Sequence, residues 1–144
     1  MNIGPSGIAL IKQFEGCKLR AYRDSVGVLT IGVGHTGPDV VDGMVITQAQ
    51  ADDLLRSDLK DAEGCVNREV TVPLTENEFS ALVSWVFNLG CGTFRKSSVL
   101  RYLNESNYDM AAEYMKKYDR AGGQVLAGLT RRREAEAELF EATA

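Results

Sequence analysis

Two carboxylates and a hydroxyl fall close together near the N-terminus, at Glu15, Asp24 and Thr30 of the run QFEGCKLRAYRDSVGVLTIGVGH. A carboxylic acid held protonated near neutral pH is what general-acid cleavage of a glycosidic bond requires, and Glu15 is placed to be one. Ile8, Leu10, Ile11 and Phe14 recur at helical spacing, with Pro5 and Ser6 as start signals and Gly16 as a stop, so Glu15 sits in the last turn beside the apolar stripe. Partial desolvation and the carbonyl end of the helix both disfavour its anion. Each residue also has a plainer reading: a glutamate on a solvated rim, an aspartate opening a turn, a threonine favoured on a pleat. Taken together, a helix-end acid, a turn carboxylate and a strand threonine can converge on one cleft. His35, the single histidine, reads as a structural hydrogen-bonder at a strand end and stays outside the catalytic set.

These residues need a helix, a hairpin and something to hold both. Asp24-Ser25-Val26-Gly27 has the signature of a turn between two β-prone runs. The run Val28 to Gly34 alternates, with Leu29, Ile31 and Val33 on a core face and Thr30, Gly32 and Gly34 on the other, where glycines allow close approach of a ligand or backbone. A short strand is predicted near Val40 to Val45, and Thr47 caps a long helix with Ala51, Leu54, Leu55, Leu59 and Ala62 on one stripe. Thr75 and Glu78 form a capping box for a nearly all-apolar helix closed by Gly90. Shorter helices follow over Ser97 to Leu103 and Tyr108 to Tyr118, then an AGG loop, and Thr130 is expected to cap a last helix, RRREAEAELFEA.

The fold class is therefore α+β, within one domain of 144 residues. Its lobes are read as a β-rich 14–46, a helical 1–13 and 70–144, and a linking helix 47–67. A net charge of −4 gives no pull toward polyanions, which argues against nucleic-acid binding despite the Arg131-Arg132-Arg133 cluster. Cys17, Cys65 and Cys91 match neither zinc nor CxxC spacing, so reduced thiols are expected, with Cys17 and Cys91 as small hydrophobes rather than nucleophiles. The N-terminus lacks a basic leader and its apolar run is broken at Lys12 and Gln13, so neither a signal peptide nor a membrane span is predicted, and a cytosolic chain is.

The motifs F-E-G at 14–16, A-Y-R-D at 21–24, T-I-G-V-G-H-T-G at 30–37 and V-F-N-L-G at 86–90 resemble the phage-type lysozymes, the endolysins or muramidases of glycoside hydrolase family 24. Phe94, Ser97-Ser98, Leu100, G-L-T-R-R-R-E and Leu139-Phe140 extend the resemblance over nearly the whole chain. It implies a lysozyme-like fold: a small N-terminal β-sheet lobe and a larger helical C-terminal lobe joined by a long helix. It implies hydrolysis of the β-1,4 bond between N-acetylmuramic acid and N-acetylglucosamine in peptidoglycan, lysing the host for phage release. In that pattern Glu15 is the general acid, while Asp24 and Thr30 support attack by water. An inverting course would place the carboxylates roughly 6.5 to 9.5 Å apart, against about 5 to 5.5 Å for a retaining one.

The resemblance further implies sugar contacts at Thr36, Phe87 and Ser97 and an acid-orienting arginine at Arg131; Tyr114 stands where a small amide-bearing residue would be expected. No cofactor or metal is implied; some related endolysins carry an N-terminal signal-anchor segment, whereas no stable membrane insertion is expected of this chain, and a cleft enzyme acting on a polymer needs no partner subunit. Release from the host cytoplasm to the periplasmic peptidoglycan would depend on a phage holin. Two rival readings are a peptidoglycan-binding module without turnover and a lytic transglycosylase, which forms an anhydro ring without attacking water. Glu15, Asp24 and Thr30 together speak against the first, and Asp24 and Thr30 favour hydrolysis over the second.

Overall fold

The computed structural model describes residues 1–121 and 123–142. Its chain order is α1 (Pro5–Glu15), β1 (Lys18–Arg23), β2 (Leu29–Gly32), β3 (His35–Thr36), α2 (Gln48–Glu69), α3 (Glu76–Leu89), α4 (Cys91–Lys96), α5 (Ser98–Asn104), α6 (Tyr108–Met115), β4 (Arg120–Ala121), β5 (Gln124–Val125) and α7 (Ala127–Glu141). Two compact units divide it, one over residues 11–60 and one formed by residues 1–10 with 61 onward, so the boundary falls inside α2. The architecture is α+β, and among the described residues no helix is long and apolar enough to cross a membrane.

The unit over residues 11–60 is built on an antiparallel sheet in the order β1-β2-β3. Ile31 buries its side chain with Val40, Ile46 and Ala51, and Leu29 packs on the same cluster, so the core face of β2 is the expected one. The strand predicted through Gly34 stops at Gly32. Gly32 and Gly34 take φ of +65° and +71°, and this left-handed backbone turns the chain into β3 instead of continuing the ladder. No strand forms over Val40 to Val45: Val45 makes one isolated bridge to Arg20, flanked by hydrogen bonds from Ala21 N to Met44 O and from Ile46 N to Leu19 O. Thr47 caps α2 as expected, its hydroxyl accepting from Gln50 N at 3.1 Å while Thr47 N donates to Gln50 Oε1 at 2.8 Å.

In the other unit, α3 is the buried helix that its sequence predicts. Both bonds of the Thr75–Glu78 capping box are present, and Phe79 to Val86 are buried without interruption. Trp85 sets the packing, with its ring edge-on to Tyr118 and Phe94 at 4.9 and 5.9 Å and its indole N–H donating to Met115 O. Two expectations fail here. The helix α7 starts at Ala127 with Leu126 as its N-cap, one turn before Thr130, whose hydroxyl instead donates to Asp119 and Leu126 O. The predicted AGG loop is the site of the β4-β5 hairpin, with residue 122 itself outside the described residues.

The cysteines also correct the reading. Cys65 in α2 and Cys91 at the start of α4 form a disulfide, with Cα atoms 5.9 Å apart, rather than two reduced thiols. A separation of 26 residues carries no signal of proximity; helix packing supplies it. The cross-link stabilises the unit by roughly 3 to 4 kcal/mol through the entropy of the unfolded chain. Cys17 is free and exposed beside the Gln48 amide, so it does not fill a core as a small hydrophobe.

Candidate active site

Glu15, Asp24, Thr30 and Thr36 all belong to the unit over residues 11–60, and the sheet explains how three of them come to face one way. In the β1-β2 ladder Tyr22 is the direct partner of Thr30, and in the β2-β3 ladder Thr30 is the partner of Thr36. Directly paired residues project from the same face of a sheet, so Tyr22, Thr30 and Thr36 form one cross-strand row. Asp24 follows two residues after Tyr22, at the mouth of the turn.

Asp24 has its turn-forming role: Oδ1 accepts from Val26 N at 3.0 Å and from Val28 N at 2.9 Å, and the backbone closes with Gly27 N donating to Asp24 O. Both side-chain bonds fall on one oxygen, so turn closure and a chemical role at the carboxylate are compatible. Thr30 is buried, and its hydroxyl donates to Val28 O at 3.0 Å. With its one proton committed, that oxygen can only accept from a further partner.

Glu15 ends α1 half-buried, and Gly34 packs against its carboxyl. A Cβ at Gly34 would lie 2.7 Å from Glu15 Oε1, which identifies this glycine as the one required by close approach; at Gly32 the nearest atoms belong to Ala51 at an ordinary 3.6 Å. Gly34→Ala is therefore expected to push the Glu15 carboxyl out of place at a backbone angle that L-residues rarely adopt. A displacement of this kind costs roughly 10²-fold in turnover, with only about 1 to 2 kcal/mol of stability lost. Lysis rate and thermal melting measured on the same variant check both figures.

Tyr22 joins the site in the structure, beside the three residues that the sequence pattern suggests. Burial, then the Glu15 charge, then the Asp24 charge push its phenol above the usual value, so it stays a hydrogen-bond donor and senses both carboxylates at once. The signal was available in the strand period of two, which sets Tyr22 and Asp24 on one side.

His35 is structural, as expected. Its Nδ1 lies 2.8 Å from Asp58 Oδ2 and its Nε2 2.9 Å from Asp39 Oδ2. Burial works against the imidazolium, but the hydrogen bonds it donates to the Asp58 and Asp39 carboxylates outweigh it and raise the histidine above its ordinary value; the same contact with His35 lowers Asp39. A raised histidine stabilises fully below its unfolded value of about 6.5 and loses that contribution as pH rises through the folded value, whereas the lowered Asp39 loses its own on acidification below about 4. Melting temperature is thus expected to be higher near pH 6 than near pH 8.5, and His35→Gln to flatten that difference.

Phe87, Ser97 and Arg131 belong to the other unit. Phe87 lies partly buried on α3. Ser97 is buried as the N-cap of α5, its hydroxyl accepting from Leu100 N and donating to Phe94 O at 2.7 Å. Arg131 is exposed, unlike its two neighbours: Arg132 and Arg133 are buried on Glu136, with Nε of each at 3.2 and 2.9 Å from its carboxylate. The arginine run thus combines one surface cation with a buried ionic cluster, completed by Ser84 Oγ donating to Glu136 at 2.6 Å and Arg133 donating to Asn88 Oδ1 at 2.7 Å.

Residues 12–136 match the phage lysozyme family. The chain is 45% identical over 142 residues to an endolysin of Bacillus phage PZA, matching 97% of this chain but only 55% of that relative's length. It is 43% identical over 141 residues to an endolysin of Salmonella phage P22, covering 95% of this chain and 97% of the relative. Among solved structures, the muramidase domain of SpmX from Asticaccaulis excentricus superposes with a TM-score of 0.90 at 42% identity, covering 99% of both chains. A match of this length and identity, over the same residues that carry Glu15, Asp24 and Thr30, makes the chain a member of the phage lysozyme family.

Proposed function

We propose that the protein is an endolysin that hydrolyses the β-1,4 bond between N-acetylmuramic acid and N-acetylglucosamine in bacterial peptidoglycan. The observation that carries this reading is the cross-strand row: Thr30 pairs with Tyr22, and Tyr22 lies within the fields of both Glu15 and Asp24. Glu15 acts as the general acid and protonates the leaving oxygen. Asp24 stabilises the oxocarbenium charge that develops at the anomeric carbon. A water donating one proton to Asp24 and one to the accepting Thr30 oxygen would direct its lone pair at that carbon, which gives an inverting course.

Thr36, Phe87 and Ser97 as sugar contacts and Arg131 as the cation that orients Glu15 belong to the same proposal and rest on the family resemblance. So does the route to the substrate, with the chain held in the host cytoplasm until a holin admits it to the periplasm. The Cys65–Cys91 disulfide supports residence in an oxidising compartment such as the one that holds peptidoglycan. Turbidity of permeabilised Gram-negative cells is expected to fall on adding the protein. Binding to the cells with no loss of turbidity would make it a recognition module instead.

A further inference from the structure

Several cations of the helical unit are neutralised by a carboxylate. Arg68 pairs with Glu69, Lys116 with Glu113, and Arg132 and Arg133 with Glu136. Arg95, Lys96 and Arg101 differ: they are exposed, pair with no carboxylate among the described residues, and together line a cavity of about 370 Å³ at the junction of α4 and α5. Three uncompensated cations around one concavity, in a chain of net charge −4, form a local field of sign opposite to the whole.

The remaining walls narrow the chemistry. Leu100 supplies an apolar patch and Ser98 a hydroxyl, while Ser97, whose hydroxyl is engaged by Phe94 O and Leu100 N, and Asn104, whose amide donates to Glu69 O at 3.0 Å and accepts from Thr71 N at 2.9 Å, are fixed walls. Arg101 is held in advance, with its guanidinium carbon 4.8 Å from the centroid of the Tyr102 ring, which lowers the entropy lost when it engages a ligand. A mixed lining of this volume suits a short peptide bearing a carboxylate better than a bare oxyanion, because the arginines can take the carboxylate in a forked pair while neutral groups meet amides.

We propose that this pocket is a binding site for the free carboxylates of the peptide stems of peptidoglycan, formed by residues other than the Glu15, Asp24 and Thr30 proposed to cleave the glycan. The proposal rests on the peptidoglycan reading above and names the part of the polymer that a chain with net negative charge would grip. Glu15, Asp24 and Thr30 do not line the pocket; Ser97, proposed above as a sugar contact, does, so the pocket adjoins the glycan path.

The test uses the full chain carrying Glu15→Gln, so that binding is measured without cleavage, in cosedimentation with purified Gram-negative sacculi and with glycan strands stripped of peptide. Adding Arg95→Gln with Arg101→Gln is expected to weaken binding to peptide-bearing sacculi about tenfold or more, the loss of one or two charge-assisted hydrogen bonds. Removing the same charge elsewhere, by Arg56→Gln with Lys60→Gln, is expected to change it less than about twofold. On peptide-free glycan the two double variants should bind alike. Equal losses for both pairs would reduce the effect to net charge and overturn the proposal, as would a loss by the pocket pair that persists on peptide-free glycan. A loss seen only with walls that carry teichoic phosphate would assign the pocket to a phosphodiester and equally overturn the stem reading. Failure of the unmutated protein to lyse cells would refute the muramidase function instead, a result separate from all of these.

Discussion

Glu15→Gln is expected to cut the lysis rate by roughly 10²- to 10⁴-fold, the span that a positioned proton donor contributes to a reaction of this kind. The substitution keeps the shape of the side chain and the packing against Gly34 while removing the transferable proton, so melting temperature should move by only a few degrees. That contrast between activity and stability is what distinguishes a proton donor from a helix-end glutamate. Turbidity and thermal melting on one preparation check it, and near-normal lysis by a folded variant would remove Glu15 from the acid role. Gly34→Ala complements it, since there the acid remains but its position changes.

The largest expected loss of stability belongs to the other unit. Glu136 is fully buried, accepts from Ser84 Oγ and Arg132 Nε, and lies 2.9 Å from Arg133 Nε. Burial pushes its carboxyl upward, against the pull of Arg133 and Arg132 and the hydrogen bonds from Ser84 and Arg132. Deleting it leaves two guanidinium groups buried beside a cavity without their shared carboxylate. Breaking one side of a buried ionic cluster costs roughly 3 to 5 kcal/mol, because the surviving charge keeps its desolvation penalty. Glu136→Ala should therefore lower the melting temperature by roughly 10 °C or more, whereas Glu138→Ala, exposed on the same helix, should cost about 0.5 kcal/mol or less. A similar small loss for both would mean that the buried cluster contributes nothing beyond a surface glutamate.

The same helix shows what was hard to read. Arg132, Arg133, Glu136, Ala137 and Phe140 form the buried face of α7 at ordinary helical spacing, but three of the five are charged, so an apolar stripe was invisible. Thr130 looked like a cap because a hydroxyl preceded the charged run, yet Asp119 holds that hydroxyl and the helix begins earlier. The Cys65–Cys91 bond was equally hidden, because pairing depends on how α2 and α4 pack and not on spacing along the chain.

Local chemistry decides several elements. The Thr75–Glu78 capping box, the Asp24 turn and the core side of β2 each follow from a few neighbouring residues and appear as expected. The strand boundary at Gly32 was missed because alternation continues through Val33 while two positive φ angles do not. Within the candidate site, Glu15, Asp24 and Thr30 were legible as residue types. Their arrangement through Tyr22 was not, since it depends on a β1-β2 register interrupted by an irregularity between Lys18 and Tyr22.

The central claim is that these groups deliver water to a glycosidic bond. Digesting purified sacculi in heavy-oxygen water and weighing the released fragments by mass spectrometry tests it directly. Hydrolysis places one solvent oxygen at a reducing N-acetylmuramic acid end of each new chain, and that is the expected result. Anhydro-muramic ends without solvent oxygen, or sacculi left uncut, would contradict it.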